Sequence, residues 1–230
     1  MGTRKLGAVA GVVGSVAFVA AFTIEGWLRP GYDAQRMFVS ELALGPRGLV
    51  QIINFVACGF ATILLARGMR AEFPAAPAAT RLLDVVGVGL IGAGLFVMDP
   101  LTTPLRRMSW HGILHGLFGV PFFYCGPIAC LLFVRYFREA PRWRSLAGYT
   151  LGTGVITLTV GIAARLSLGF DHTTRPSWGG VAQRTHHILY FVWQAIVAGR
   201  LARAGEPIAA SAARGDGSVP ASSEGRSLRL

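Results

Sequence analysis

Charged residues are scarce in this chain. Asp, Glu, Lys and Arg together make up 14% of its 230 residues, whereas a soluble domain carries about 25%. Lysine is nearly absent, with Lys5 its one occurrence, so arginine supplies almost all of the basic charge behind the net +11. Hydrophobic residues make up 53%. This composition excludes an ordinary soluble domain and is typical of a membrane protein.

Cysteine is also rare, and its positions argue against two kinds of site. Cys58, Cys125 and Cys130 all fall inside apolar segments, and no pair has the Cys-x-x-Cys spacing. A disulfide framework would need cysteines in outer loops, and a thiolate zinc site would need closely spaced pairs. We therefore expect all three to be small buried apolar residues.

Long apolar segments are abundant. A bilayer crossing requires about 20 such residues, and the sequence predicts an all-α integral membrane bundle of six transmembrane helices within residues 1–204. The predicted spans are residues 6–28, 49–66, 82–98, 111–134, 146–166 and 185–201. The last segment, residues 205–230, is rich in Ala, Ser, Gly and Arg and has no apolar period, which predicts a disordered cytoplasmic tail.

The basic residues predict the orientation of the bundle. Fourteen arginines and lysines fall at the N-terminus, in the second and fourth connections and in the tail, against eight in the other three connections. The positive-inside rule then places both termini in the cytoplasm, in a multi-pass protein of the cell membrane. Because the arginines flank apolar segments rather than a polar domain, we expect contacts with membrane lipids and none with nucleic acid.

Histidine and aspartate collect at the predicted outer ends of the spans. All five histidines of the chain fall there. Ionisable groups at membrane depth are costly, so their segregation indicates a functional site. The residues are Asp99, His111, His115, Asp171, His172, His186 and His187.

The first hypothesis is an outward-facing polar pocket that binds, senses or moves a small molecule or lipid. Its candidate lining residues are Glu41, Gln51, Asn54, Asp99, His111, His115, His186 and Tyr190. For Gln51, Asn54 and Tyr190 a hydrogen bond between helices is the simpler function.

The second hypothesis is a metal-dependent hydrolase acting on a lipid ester or amide. His111 and His115 are four residues apart, which places both rings on one helical face, and His186 or His187 would complete a site for zinc or another divalent ion. Asp99 would be a further ligand or the general base. A haem held between His111 or His115 and His186 or His187 is a third possibility.

The sequence resembles the DUF998 family of bacterial multi-pass membrane proteins. It does so in the Ser40-Glu41-Leu42 motif, in Asp99, and in the His-Gly-Ile-Leu-His run of residues 111–115. The resemblance runs from about residue 32 through the sixth span, although residues 171–183 do not match the family's pattern. It implies a six-helix fold of the kind discussed for Frag1-like proteins, and it implies no activity.

Overall fold

A computed structural model describes residues 2–168 and 178–203, with side chains for 2–164 and 178–203. The predicted tail, together with Asp171 and His172, lies outside the described residues. The all-α prediction is confirmed, since six helices occupy most of the described chain: α1 (Thr3–Leu28), α2 (Gly48–Glu72), α3 (Pro77–Leu95), α4 (Trp110–Glu139), α5 (Ala147–Leu168) and α6 (Gly179–Arg203). Three short 3-10 helices lie at Val39–Ala43, Leu105–Arg107 and Arg144–Leu146.

The helices agree with a membrane bundle. In the described part of the chain, α1 to α5 are each long and apolar enough to cross a membrane. α6 equals α2 in length, at 25 residues, but is less apolar. The difference comes from polar side chains such as Gln183, His186, His187 and Gln194, all of which are buried. Burial within the bundle shields these groups from lipid.

The six helices pack antiparallel in chain order and close into a ring. Each helix packs against the next, and α6 returns to lie against α1. Near the start of α6, His187 stacks on Phe18 of α1. Near the other end of α6, Ala198 lies against Gly11 of α1. The two ends of the ring are therefore distinct, and they hold different kinds of residue.

We name the two ends by what they contain. The histidine end consists of the first and third connections and the start of α6. The terminal end consists of the start of α1, the second and fourth connections and the end of α6. The corresponding residues are 29–47, 96–109 and 178–187 for the histidine end, and 2–7, 73–76, 140–146 and 198–203 for the terminal end.

The outer surface of the ring is apolar. Val13, Val16, Phe60, Leu117 and Val155, from four different helices, are between 49% and 63% exposed. An apolar belt of this extent would be an aggregation hazard in water, whereas in a bilayer it faces lipid chains. The exposed surface thus agrees with the membrane assignment independently of helix length.

Glycines allow neighbouring helices to approach closely. A Cβ at Gly59 of α2 would stand 2.6 Å from the Gly87 carbonyl oxygen of α3, and a Cβ at Gly87 would stand 2.7 Å from the Gly59 carbonyl oxygen. Close packing of this kind is a main source of helix association in lipid, where apolar burial contributes little. The reciprocal contact therefore fixes how α2 and α3 cross.

A buried ion cluster joins two helices and a connection at the terminal end. The Glu72 carboxylate is fully buried and forms ion pairs with Arg4 at 2.8 Å and Arg142 at 2.7 Å. The indole N–H of Trp143 donates a hydrogen bond to the same carboxylate at 2.9 Å. Since these residues belong to α1, α2 and the α4–α5 connection, one carboxylate holds the terminal end together.

Polar contacts also join helices deep in the bundle. The Gln194 amide of α6 donates hydrogen bonds to the Ser15 hydroxyl of α1 at 3.0 Å and the Thr62 hydroxyl of α2 at 3.3 Å. All three side chains are at most 1% exposed. The contacts tie α6 to both neighbours, which accounts for a glutamine at this depth.

Candidate functional site

The first connection, residues 29–47, is held by arginines at its two ends. Arg29, after α1, donates hydrogen bonds to two carbonyls of the Val39–Ala43 helix, the nearer at 2.8 Å. Arg47, before α2, donates to both carboxylate oxygens of Glu25 at 2.8 and 2.6 Å. These hydrogen bonds raise the pKa of Arg47, because the carboxylate stabilises its charged form.

α6 holds the same connection from the other side. The Arg184 guanidinium donates to two backbone carbonyls of the connection, the nearer at 2.6 Å, and contacts the Tyr32 hydroxyl. Burial raises the pKa of Tyr32, so this hydroxyl stays protonated. The Gln183 side-chain oxygen accepts a hydrogen bond from the Val39 N–H at 2.6 Å. The connection is therefore fixed over the histidine end.

The Ser40-Glu41-Leu42 motif shapes this connection. Glu41 is 2% exposed, and its carboxylate accepts a hydrogen bond from the Phe38 N–H at 2.8 Å. A Cβ at Gly48 would stand 2.0 Å from a backbone oxygen of the same turn, so only glycine fits there. Ser40 lines the pocket described below, whereas Glu41 holds the turn behind it.

Asp99 lies over the N-terminus of α4. Its carboxylate accepts a hydrogen bond from the Ser109 N–H at 2.7 Å, and the Ser109 hydroxyl accepts one from the Gly112 N–H at 3.1 Å. A Cβ at Gly112 would stand 2.1 Å from the carboxylate, so glycine makes room for it. A carboxylate in this position is stabilised by the helix dipole. Ser109 thus caps α4, and Asp99 holds Ser109 in place while it lines the pocket.

The two histidines of α4 have different surroundings. His115 Nδ1 lies 2.8 Å from the Ala93 carbonyl oxygen and 2.9 Å from that of Phe96. Because a carbonyl only accepts, Nδ1 carries the proton in the neutral ring. The His111 ring is exposed and stacks on Trp110, with 3.6 Å between ring centroids. Their four-residue spacing therefore does not bring the two rings into one site.

The two histidines of α6 are both buried. His186 is 1% exposed, and its Nδ1 lies 3.0 Å from the Thr157 carbonyl oxygen of α5. His187 is 2% exposed, and its Nδ1 lies 2.7 Å from the Gln183 carbonyl oxygen of its own helix. Each ring is held by a backbone carbonyl, which orients it and selects the proton position.

A cavity of about 320 Å³ lies beneath the first and third connections, between α3, α4, α5 and α6. Gly112, Gly116, Gly119 and Phe123 line it along one face of α4. A Cβ at Gly116 or Gly119 would meet no atom within 4 Å, so the lack of side chains on this face leaves the space. The cavity wall is mainly apolar. Its polar lining side chains include Ser40, Asp99, His115, Gln183, His186 and His187.

Five predicted pocket residues do not line this cavity, and two of them, Glu41 and His111, are described above. Asn54 donates a hydrogen bond to the Phe18 carbonyl of α1 at 3.1 Å and, with the fully buried Gln51, lies at the α1–α2 contact. Tyr190 is fully buried one turn below His186 and packs where a Cβ at Gly126 would be. The structure thus brings Asp99, His115 and His186 into the cavity wall, but not the other five.

The predicted metal ligands are not assembled in the described structure. Among residues with described side chains, no group of three or more His, Cys, Asp or Glu could hold a metal ion. His111 faces outward, while Nδ1 of His115, His186 and His187 is directed to backbone carbonyls. The zinc and haem hypotheses stay predictions without a described group of ligands.

Several cavity residues were not predicted from the sequence. Gln183 and Gly119 line the cavity, and Thr157 orients one of its histidines. Gln183 is one helical turn before His187, so extending the polar stripe of α6 by one turn would have found it. The glycine face of α4 has no comparable signal, because glycines in membrane helices more often mark close packing.

The fold and cavity define a class: multi-pass helical membrane proteins with a mainly apolar cavity at one end of a helical ring. The chain belongs to the family described as Protein of unknown function (DUF998), which it matches over residues 12–200. No curated protein and no solved structure matches it.

Proposed function

We propose that the protein binds an amphiphile, an apolar chain with a polar head, in the cavity at the histidine end. The main support for this proposal is the arrangement of side chains in the cavity wall. Gly116, Gly119 and neighbouring aromatic side chains form an apolar surface, and polar groups from four elements converge on the same space. A largely apolar cavity with a few oriented polar groups is the usual form of a binding site for a small amphipathic ligand.

The membrane location favours a lipid-like ligand over a water-soluble one. Residues lining the cavity include Gly116 and Leu105, which are both exposed, so the cavity reaches the protein surface. The helices that form it carry the apolar outer belt. An amphiphile dissolved in the membrane could then enter with its chain among apolar side chains, so its partners include membrane lipids.

The proposal includes a topology, with six crossings of the cell membrane, cytoplasmic termini and an outward histidine end. It is supported by the arginine excess at the terminal end and by the similar lengths of α6 and α2. In intact cells, an impermeant maleimide should label Arg36→Cys, whereas Glu139→Cys should need permeabilisation first. Both positions are exposed, and the reverse pattern would contradict the orientation.

Filling the cavity should weaken binding. Gly119→Leu adds a side chain that starts in open space beside the cavity. We expect it to lower the affinity for oleyl alcohol by at least about tenfold, since overpacking a filled site costs about 1–3 kcal/mol. Native mass spectrometry of the full chain, titrated with oleyl alcohol as it leaves detergent micelles, measures this directly.

Gly152→Leu is the matched control for that experiment. Gly152 is a half-buried helical glycine whose Cβ would also meet no atom within 4 Å, and it does not line the cavity. We expect this variant to bind oleyl alcohol as the unaltered protein does. Equal binding by all three proteins, or binding lost equally in both variants, would contradict the assignment of the site.

A further inference from the structure

His186 presents an unused acceptor. Because its Nδ1 donates to the Thr157 carbonyl at 3.0 Å, Nε2 of the neutral ring keeps its lone pair. Nε2 is buried and has no hydrogen-bond partner among the described residues. An unmade hydrogen bond at a buried polar atom costs free energy that a suitable ligand would recover. His186 also lines the cavity.

A second acceptor lies beside the same ring. Pro127 continues α4 but has no N–H, so the Phe123 carbonyl, four residues earlier, lacks its helical donor. A Cβ placed at Gly161 of α5 would stand 3.3 Å from this carbonyl oxygen and 3.6 Å from His186 Nδ1. The carbonyl and the ring therefore meet at Gly161, and all three residues line the cavity.

The described part of the cavity wall holds no cation that could bind a negatively charged head. Among the described residues that line it, none is lysine or arginine, and Asp99 contributes a carboxylate. Arg184, which follows the lining residue Gln183, forms hydrogen bonds with the first connection, including the Tyr32 hydroxyl. Phosphate and carboxylate heads would lose hydration here without gaining a charged hydrogen bond.

We propose that the ligand's head is an uncharged hydrogen-bond donor, a hydroxyl or a primary amide, that donates to His186 Nε2 or the Phe123 carbonyl. This inference names the ligand class and rests on the proposed function. The apolar wall contacts the chain, and the His186 ring and the Phe123 carbonyl select the head. The selection depends on hydrogen-bond donation, because an ether of equal length offers the same chain without a proton to share.

A head-group series on one chain tests the proposal. Native mass spectrometry of the full chain would compare oleyl alcohol with oleyl methyl ether, oleic acid and oleyl phosphate. We expect the alcohol to bind about tenfold more tightly than the ether, as one recovered neutral hydrogen bond allows. We expect the ionised acid and the phosphate to bind more weakly than the alcohol.

Variants at two histidines show which residue distinguishes the alcohol from the ether. His186→Leu should weaken alcohol binding to the level of the ether while leaving ether binding unchanged. His111→Leu is the control, because His111 is exposed and outside the cavity wall, and it should change neither ligand. If His186→Leu does not fold, the head-group series on the unaltered protein decides by itself.

The outcomes separate this inference from the proposed function. Equal affinity for all four heads, with binding still lost in Gly119→Leu, would overturn the head-group inference and leave the binding site standing. Tighter binding of the acid or phosphate would overturn it in the same way. Failure of every probe to bind would overturn both.

Discussion

Replacing Glu72 with alanine should lower the free energy of unfolding by about 3–5 kcal/mol. The substitution removes a fully buried carboxylate that pairs with Arg4 and Arg142 and accepts a hydrogen bond from Trp143. The two guanidinium groups, 16% and 32% exposed, would then lose their shared counter-ion in a largely desolvated setting. We expect this to be the largest loss of stability caused by a single substitution at the terminal end of the bundle.

Thermal unfolding in detergent, followed with a thiol-reactive dye, measures this effect, because Cys58 and Cys130 are free and buried in the native protein. Glu139→Ala is the control. Glu139 pairs with Arg135 one turn away on the surface, with side chains 62% and 77% exposed, and such a pair contributes about 1 kcal/mol at most. Equal shifts in melting temperature for the two variants would show that the buried cluster is not a principal support.

Gly87→Ala should cost about 1–3 kcal/mol, the usual cost of overpacking a close contact. The added methyl would stand 2.7 Å from the Gly59 carbonyl oxygen and 2.5 Å from a side-chain carbon of Ile63. Since backbone cannot yield as a flexible side chain does, α2 and α3 would have to separate. The same dye-based unfolding experiment reports the loss.

Gly152→Ala provides the comparison for Gly87→Ala. Gly152 also lies inside a membrane helix, but its added methyl would meet no atom within 4 Å. We expect a neutral or slightly stabilising change there, because alanine has the higher helix propensity. If both alanines had the same effect, glycine content alone and not the close crossing would set the stability.

Much of the fold could be predicted from the sequence because bilayer thickness imposes a length on apolar segments. The helices lie where the six apolar segments were predicted, and most extend beyond them. α2 continues to Glu72, past the predicted end at residue 66, because its polar last turns are stabilised by the ion cluster. A hydropathy profile alone does not detect such turns, since it identifies only the apolar residues that contact lipid chains.

Less of the candidate site could be predicted, because a helical stripe identifies a face but not the neighbour it meets. Asp99, His115 and His186 do line one cavity. Asn54 was predicted by the same reasoning, yet its face meets α1 and forms the simpler interhelical hydrogen bond. Sequence spacing also does not predict the ion pair between Glu72 and Arg142. The two residues lie 70 positions apart and come into contact only in the folded ring of helices.

Photoaffinity labelling with a diazirine-bearing oleyl alcohol, followed by peptide mapping, shows where the amphiphile binds. We expect the labels to concentrate on residues 112–124 of α4 and 179–187 of α6, and we expect excess oleyl alcohol and the Gly119→Leu change both to remove them. Labels spread over the outer belt, at positions such as Val13, Val16 and Phe60, and unaffected by either treatment would contradict this expectation. In that case the amphiphile would contact the protein only as bulk lipid does.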